Sequence, residues 1–196
     1  MHNIGPDNLF TLLAALGDRL AGTVDAPIHL IVIGGSGLLA IDAVDRATRD
    51  VDVVAIAEGD ALVSAKPLPK ALVDAAAIVA RDFGLAPDWL NAGPTSLLEI
   101  GGLPSGFRSR LTERQFGTKL KISFAARIDQ IHFKVYAAAD RGEPRDLSDL
   151  RALEPTPDEL HAAASWARTH NMPGPFDDAL AHALRTFGVE DAGRNP

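Results

Sequence analysis

The pattern of apolar and polar positions divides the chain into a first part that mixes strands with helices and a last part made of helices. Apolar residues at helical spacing predict an N-terminal helix over residues 7–21, with Asp7 as its N-cap. Short apolar runs predict strands over 29–33 and 51–57. Between them, a turn made of Gly34, Gly35, Ser36 and Gly37 leads into a predicted helix over 38–44. The order strand, glycine turn, helix, strand is the first feature that points to a type of site.

Later segments add two more predicted strands and five helices. A helix is predicted over 67–83 and ended by Gly84. The runs LLEI and KLKISFA predict strands on either side of a segment rich in Gly, Pro and Arg. Further helices are predicted over 129–140, from about residue 145, over 158–170 and over 176–187.

This order of elements predicts an α/β (α+β) fold, with a short mixed sheet flanked by helices and further helices at the C-terminus. Residues 1–153 are expected to form the α/β domain together with the N-terminal helix. Residues 154–196 are expected to form a C-terminal helical portion of the same domain.

Composition narrows the class of protein. The 196 residues are 46% hydrophobic and 23% charged, as in ordinary globular domains. The chain contains no cysteine, which excludes disulfides, thiolate nucleophiles and cysteine zinc sites. No apolar run is long enough to span a membrane, and the N-terminus lacks the pattern of a signal peptide, so a cytoplasmic protein is expected.

Charge is unevenly distributed along the chain. The net charge is −7, but residues 104–151 carry ten Lys and Arg against six Asp and Glu, a balance of +4. A basic middle segment is compatible with a surface that faces phosphates. Ordinary solvated arginines explain the same charges equally well.

The stretch IHLIVIGGSGLLAI has two functional interpretations. Gly35, Gly37 and Ala40 fit the G-x-G-x-x-[GA] pattern of dinucleotide-binding proteins. Glu58 then lies 23 residues after Gly35, where a ribose-binding acid is expected. This interpretation predicts a NAD(P)-dependent oxidoreductase, but the chain after residue 60 lacks the further strand–helix units of a doubly wound sheet.

The second interpretation starts from Asp50 and Asp52. Side chains alternate across a strand, so the two carboxylates share one face and the valines beside them share the other. Two like charges on one face are tolerated in solvent, beside Arg46 or Arg49, or around a divalent cation. Magnesium binds carboxylates together with substrate phosphates, so this pair is a candidate metal site.

The sequence resembles a known superfamily in two blocks. GGSGLLAIDAVDRATRDVDVV resembles the G-G-S…R-x-T-x-D-h-D signature of nucleotidyltransferases with a DNA-polymerase-β-like fold. IDQIHFKVYAAADRGEPRDLSDLRAL is similar to the second block of the branch that contains AbiEii-type and MenT-type toxins. The resemblance covers most of residues 28–153 and implies a minimal nucleotidyltransferase fold.

The first block implies a metal site and a phosphate turn. Asp50 and Asp52 match the metal-binding pair and are expected to be catalytic. Gly35 and Ser36 match the nucleotide-phosphate turn, and Thr48 matches a hydroxyl position two residues before the first aspartate.

The second block implies that Lys134 contacts phosphates and that Asp149 is the acidic residue that follows it, with Asp146 as the nearby rival. Lys134 and Asp149 are therefore expected to be catalytic, and Arg141 and Asp146 to bind the nucleotide. Arg141 lies seven residues after Lys134 and therefore shares its helix face. A third carboxylate on a neighbouring strand has no clear match, and Glu99 is the nearest candidate.

The expected function is therefore Mg²⁺-dependent transfer of a nucleotidyl group from an NTP to an acceptor hydroxyl. The resemblance to the toxin branch implies an RNA acceptor, such as the 3′ end of tRNA, and a cognate antitoxin as partner. A non-catalytic nucleotide-binding protein of the same fold is the main alternative, and the NAD(P)-dependent oxidoreductase is the other.

Overall fold

The structure, a computed structural model, describes residues 2–170 and 174–191. The helices of this part of the chain are α1 Leu9–Leu20, α2 Gly34–Ala40, α3 Lys70–Phe83, α4 Thr95–Ile100, α5 Arg127–Arg141, α6 Pro144–Ala152, α7 Pro157–Arg168 and α8 Pro175–Arg185. A short 3-10 helix spans Phe107–Arg110. The strands are β1 Ile28–Ile33, β2 Val51–Glu58, β3 Ala61–Val63, β4 Leu90–Asn91, β5 Thr112–Phe116 and β6 Leu120–Phe124. The expected fold, with a mixed sheet and flanking helices, is confirmed.

The strands form a mixed sheet in the order β3–β2–β1–β6–β5, and β4 pairs with the first residues of β2. Strand β1 is antiparallel to β2 and parallel to β6. Because Ile33 pairs with Asp52, the end of β1 and the start of β2 lie at the same edge of the sheet. This pairing places the glycine segment directly beside the acidic pair.

Side-chain alternation along the central strands divides the core between the two faces of the sheet. Leu30 and Val32 pack with the leucines of α1 and with α3 on one face. Ile31 and Ile33 face the other way and pack with Phe133 of α5. Helix α5 also packs against α6, α7 and α8, so the C-terminal helices cover the face of the sheet that carries the site. No helix in the described ranges has both the length and the apolar character needed to cross a membrane.

One strand prediction is wrong, and three of the observed strands, β3, β4 and β5, were not predicted. The run LLEI lies in α4, not in a strand, because a short apolar run fits a buried helix as well as a strand. Strand β5 was not predicted, because four of its five residues are exposed and it lacks an apolar alternation.

Two details near helix starts also differ from the prediction. Asn8, not Asp7, precedes α1, and its side chain accepts a hydrogen bond from the backbone N–H of Gly5. The turn expected over 34–37 is wrong, because all four residues lie in α2, which already begins at Gly34. Helix α2 also ends earlier than predicted, at Ala40, because Asp42 has a φ of 56° that a helix does not accommodate.

Candidate active site

A pocket of about 470 Å³ opens at the edge of the sheet where β1 ends and β2 begins. It is bounded by α5 on one side and by the segment from β4 to α4 on the other. Four of the predicted site residues line it: Asp50, Asp52, Lys134 and Arg141. Residues that the sequence places up to 91 positions apart are therefore brought together in one cavity.

Asp50 and Asp52 reach the pocket as the strand pattern predicts. Val51 and Val53 pack into the core formed with α1 and α3, and Asp52 therefore points toward α5. Burial, reinforced by repulsion from Asp50, raises the pKa of Asp52 to about 6, although Asn91, Lys134 and Arg141 act in the opposite direction. The two acids form an electrostatically unfavourable pair that a cation between them would relieve.

Asn91 is a site residue that sequence reasoning missed. Strand β4 lies parallel to β2 with Asn91 in register with Asp52, and Asn91 Nδ2 donates to Asp52 Oδ1 over 3.1 Å. The orientation of the amide is fixed, because Asn91 Oδ1 accepts a hydrogen bond of 2.8 Å from the backbone N–H of Gly93. The sequence signal was only the segment DWLN, because a two-residue strand leaves no periodic pattern.

Gly34 is the glycine that touches the pocket. Its φ is 71°, and a Cβ at this position would lie 2.6 Å from Asp52 Oδ2. On its other side, the backbone N–H of Gly34 donates to Gln130 Oε1 over 3.2 Å. Only glycine fits here, because both the backbone conformation and the space beside Asp52 exclude a side chain.

The predicted phosphate-turn residues Gly35, Ser36 and Thr48 lie behind this surface. Gly35 and Ser36 are buried, and neither lines the pocket. Thr48 Oγ1 donates weakly to Asp50 Oδ1 at 3.4 Å, and a Cβ on Gly35 would lie 2.6 Å from this hydroxyl. Ser36 Oγ is buried and has no hydrogen-bond partner within residues 2–170 and 174–191. Direct contact of these residues with a nucleotide stays a prediction.

A chain of charges of alternating sign lies beneath the pocket wall. Lys134 Nζ is 2.9 Å from Asp146 Oδ1 and 2.6 Å from Asp149 Oδ2, and all three side chains are almost fully buried. Arg141 pairs with Asp146 at 2.9 Å. At the other end, Arg46 binds both oxygens of Asp149. Three cations and two anions thus form one network with a net charge of +1.

The two ends of the network lie at different surfaces of the protein. Lys134 and Arg141 line the pocket, whereas Asp149 and Arg46 line a separate surface cleft on the other side. Burial alone would raise the pKa of Asp149, but the hydrogen bonds from Arg46 and the charge of Lys134 hold that pKa below its usual value. Arg46 was considered only as a partner for Asp50 and Asp52, and the structure instead places it on Asp149.

Residues 7–156 match the model of a family described as "Nucleotidyltransferase of unknown function (DUF6036)". The chain belongs to this family. The superfamily predicted from the G-G-S…D-h-D block is therefore confirmed, and the matched residues include the whole lining of the pocket. No curated protein matches the chain.

The donor set beside the start of β2 would fit a magnesium ion. Two carboxylates with a fixed amide beside them offer oxygen ligands and leave room for phosphate oxygens. Among the residues that the structure describes, no third carboxylate or imidazole joins the pair to make a three-ligand cluster. Glu99, the candidate for that role, lies on α4 and accepts a hydrogen bond of 2.6 Å from Ser64 Oγ instead.

The topology of this nucleotidyltransferase family member differs from that of a dinucleotide-binding fold. The first two strands of a dinucleotide-binding unit are parallel, whereas β1 and β2 are antiparallel here. Glu58 lies at the far end of β2, six residues or roughly 20 Å of strand from Asp52. It is therefore remote from the glycine segment, and the oxidoreductase interpretation is wrong.

Proposed function

We propose that this protein transfers a nucleotidyl group from an NTP to an acceptor hydroxyl, with Mg²⁺ held by Asp50 and Asp52. The observation that carries the proposal is the convergence of these acids with Lys134 and Arg141 in one pocket of about 470 Å³. Membership of a nucleotidyltransferase family supports the reaction class.

Charge balance explains why the proposal includes a metal ion. Asp50, Asp52, Asp88 and Asp140 line the pocket against only two cations, Lys134 and Arg141. A triphosphate adds further negative charge, so the protein alone repels it. When bound at Asp50 and Asp52, Mg²⁺ supplies the positive charge that neutralises phosphate oxygens and polarises the α-phosphorus.

The cationic side chains are held ready for a phosphate. Lys134 carries three N–H donors, and its ion pairs with Asp146 and Asp149 leave at least one free for a substrate oxygen. Arg141 is half exposed at the side chain and anchored on Asp146, so it can reach into the pocket without being disordered. Binding therefore requires little reorganisation of these groups.

The reaction transfers the α-phosphoryl unit with its nucleoside. The acceptor oxygen forms a bond to the α-phosphorus, and the bond from that phosphorus to the pyrophosphate oxygen breaks. Pyrophosphate leaves with the electron pair, and the hydroxyl proton is released to solvent. Lys134 and Arg141 stabilise the charge that grows on the leaving group.

The finer proposal concerns the acceptor. The resemblance of the second sequence block to the AbiEii and MenT branch supports RNA, such as the 3′ end of tRNA, and a toxin whose partner is an antitoxin. Two arginines of the basic segment are already engaged, since Arg108 binds the Gly59 carbonyl and Arg110 binds Asp129. Because these two side chains already bind protein groups, transfer to RNA needs a direct assay.

A second candidate function is nucleotide binding without turnover. The observation that favours it is that, in the described part of the chain, Asp50 and Asp52 form a pair with no third metal-binding side chain beside them. It predicts Mg²⁺-dependent NTP binding with no release of pyrophosphate.

The test incubates the protein with Mg²⁺, each α-labelled NTP and total RNA, and then separates the labelled products. We expect label on RNA with wild type, none with Asp52→Asn or Lys134→Met, and wild-type transfer with Glu99→Gln. Glu99 is a matched control because its carboxylate lies outside the pocket. Absence of labelled RNA with every NTP contradicts the RNA acceptor, and NTP binding without pyrophosphate release supports the second candidate.

A further inference from the structure

Helix α5 presents two chemically different flanks to the pocket. Its lining residues are Phe133, Lys134, Tyr136, Ala137, Asp140 and Arg141. At 3.6 residues per turn, these positions spread over an arc of roughly 160°. Lys134 and Arg141 lie at one edge of the arc and Tyr136 lies at the other, with Ala137, Phe133 and Asp140 between them, and Asp140 is the neighbour of Tyr136. One helix therefore carries a cationic edge and an aromatic edge into the same cavity.

The aromatic edge is rigid. The Tyr136 ring packs against the rings of Trp166, His170 and Phe176 with centroid distances of 6.2, 5.7 and 5.6 Å. Phe133 is held edge-on by Phe107 and Trp166. A planar ligand that contacts these rings meets side chains that are already ordered, so it loses little binding free energy to their immobilisation.

Tyr136 also offers an unused polar group. It is the only tyrosine of the chain, and it is not fully buried. None of the residues in 2–170 and 174–191 forms a hydrogen bond with its hydroxyl. The hydroxyl is both a donor and an acceptor, and Tyr136 lines the pocket together with Leu97, Ala137 and Asp140.

We propose that Tyr136, backed by Phe133, forms the nucleobase subsite of this pocket. The proposal rests on the proposed function, because it assumes that the cationic edge of α5 takes the phosphates of a nucleotide. A nucleobase has flat apolar faces that aromatic side chains bind and edge groups that a hydroxyl can recognise. The arrangement places phosphates and base at opposite edges of the same helix face.

The test separates base binding from phosphate binding by using two probes. One is an α,β-methylene NTP analogue with Mg²⁺, tested with each of the four bases, and the other is inorganic triphosphate with Mg²⁺. Calorimetry measures the affinity of wild type, Tyr136→Leu and Tyr136→Phe for both. We expect Tyr136→Leu to weaken the binding of at least one nucleotide analogue about tenfold or more while changing triphosphate affinity less than about twofold. Tyr136→Phe keeps the ring and should therefore lose less nucleotide affinity than Tyr136→Leu.

The other possible results contradict either the nucleobase subsite or the proposed function. An equal loss of affinity for both probes in Tyr136→Leu contradicts the subsite and indicates a general distortion of the pocket. Wild-type affinities that do not differ between any nucleotide and triphosphate also contradict it. Binding of neither probe to wild type contradicts the proposed function itself, so the two failures are distinguishable.

Fluorescence provides a second measurement that does not depend on how a Tyr136 variant folds. Trp166 packs on both Tyr136 and Phe133, whereas Trp89 is fully buried in the core with α1 and α3. In a Trp89→Phe background, the nucleotide analogue should change the emission of Trp166 and triphosphate should not. An identical response to the two probes contradicts the proposal.

Discussion

Lys134 Nζ lies 2.6 Å from Asp149 Oδ2, and both side chains are almost fully buried. Asp149 does not line the pocket that Lys134 faces, and its second partner, Arg46, approaches from the opposite side. Asp149 therefore acts through Lys134, because it holds the ammonium group in place. The acidic residue of the second sequence block is, by this geometry, a positioning residue.

Asp149→Asn should destabilise the protein strongly. It leaves Lys134 with one buried carboxylate and Arg46 with none, and such losses cost about 3–5 kcal/mol. Urea unfolding measures the effect, with Asp82→Asn as control because Asp82 pairs with Arg19 at the surface, where ion pairs contribute less than about 1 kcal/mol. Equal effects of the two substitutions would contradict a structural role for the buried network.

Asp52→Asn should stabilise the metal-free protein at alkaline pH. The pKa of Asp52 in the folded state, about 6, is higher than its ordinary value of 3.8. The folded state therefore binds the proton of the Asp52 carboxyl more tightly than the unfolded state does. The stabilisation that this proton provides is present below pH 4 and is lost as the pH rises through 6. At pH 8 the ionised carboxylate costs about 2–3 kcal/mol.

The asparagine variant lacks this ionisation. Its free energy of unfolding in the presence of a chelator should exceed that of wild type at pH 8 by about 1–3 kcal/mol, and the difference should shrink toward pH 4. A difference that is the same at both pH values would contradict the raised pKa.

Gln130 should couple energetically to Gly37. The side chain of Gln130 is fully buried, and a Cβ added to Gly37 would lie 2.3 Å from Gln130 Nε2. Gly37→Ala should therefore destabilise wild type by about 1–3 kcal/mol, despite the better helix propensity of alanine.

The same substitution in a Gln130→Ala background should have no cost, because the amide is then absent. Chemical denaturation of the four proteins in the double-mutant cycle gives the coupling free energy. Additive effects would contradict the close packing of Gln130 on the glycine segment.

The sequence was sufficient for the elements with strong periodicity. Helices α3, α5, α7 and α8 were predicted close to their observed bounds, because long apolar patterns leave few alternatives, and the shorter runs of β1 and β2 were also identified correctly. The alternation of Asp50 and Asp52 with valines also predicted that both acids share a face. The wrong and missing predictions concern short segments with a weak hydrophobic pattern, such as LLEI, which lies in α4, and the exposed edge strand β5.

The supporting residues of the site were not predictable from one sequence. Gln130 meets Gly34 across 96 positions, Arg46 meets Asp149 across 103, and Asn91 meets Asp52 across 39. Such pairs depend on how strands and helices pack, and side-chain type alone does not identify them. Asn91 illustrates this, since its strand is two residues long and its role follows only from register with β2.

The central claim is that Asp50, Asp52 and Lys134 carry out transfer at the α-phosphorus. The most direct measurement compares α-labelled and γ-labelled NTP in parallel Mg²⁺ reactions with total RNA, using wild type, Asp52→Asn and Glu99→Gln. We expect wild type and Glu99→Gln to move the α label to the acceptor and to release the γ label as pyrophosphate, while Asp52→Asn does neither. Release of the γ label as inorganic phosphate, or transfer that persists in Asp52→Asn, would contradict this claim.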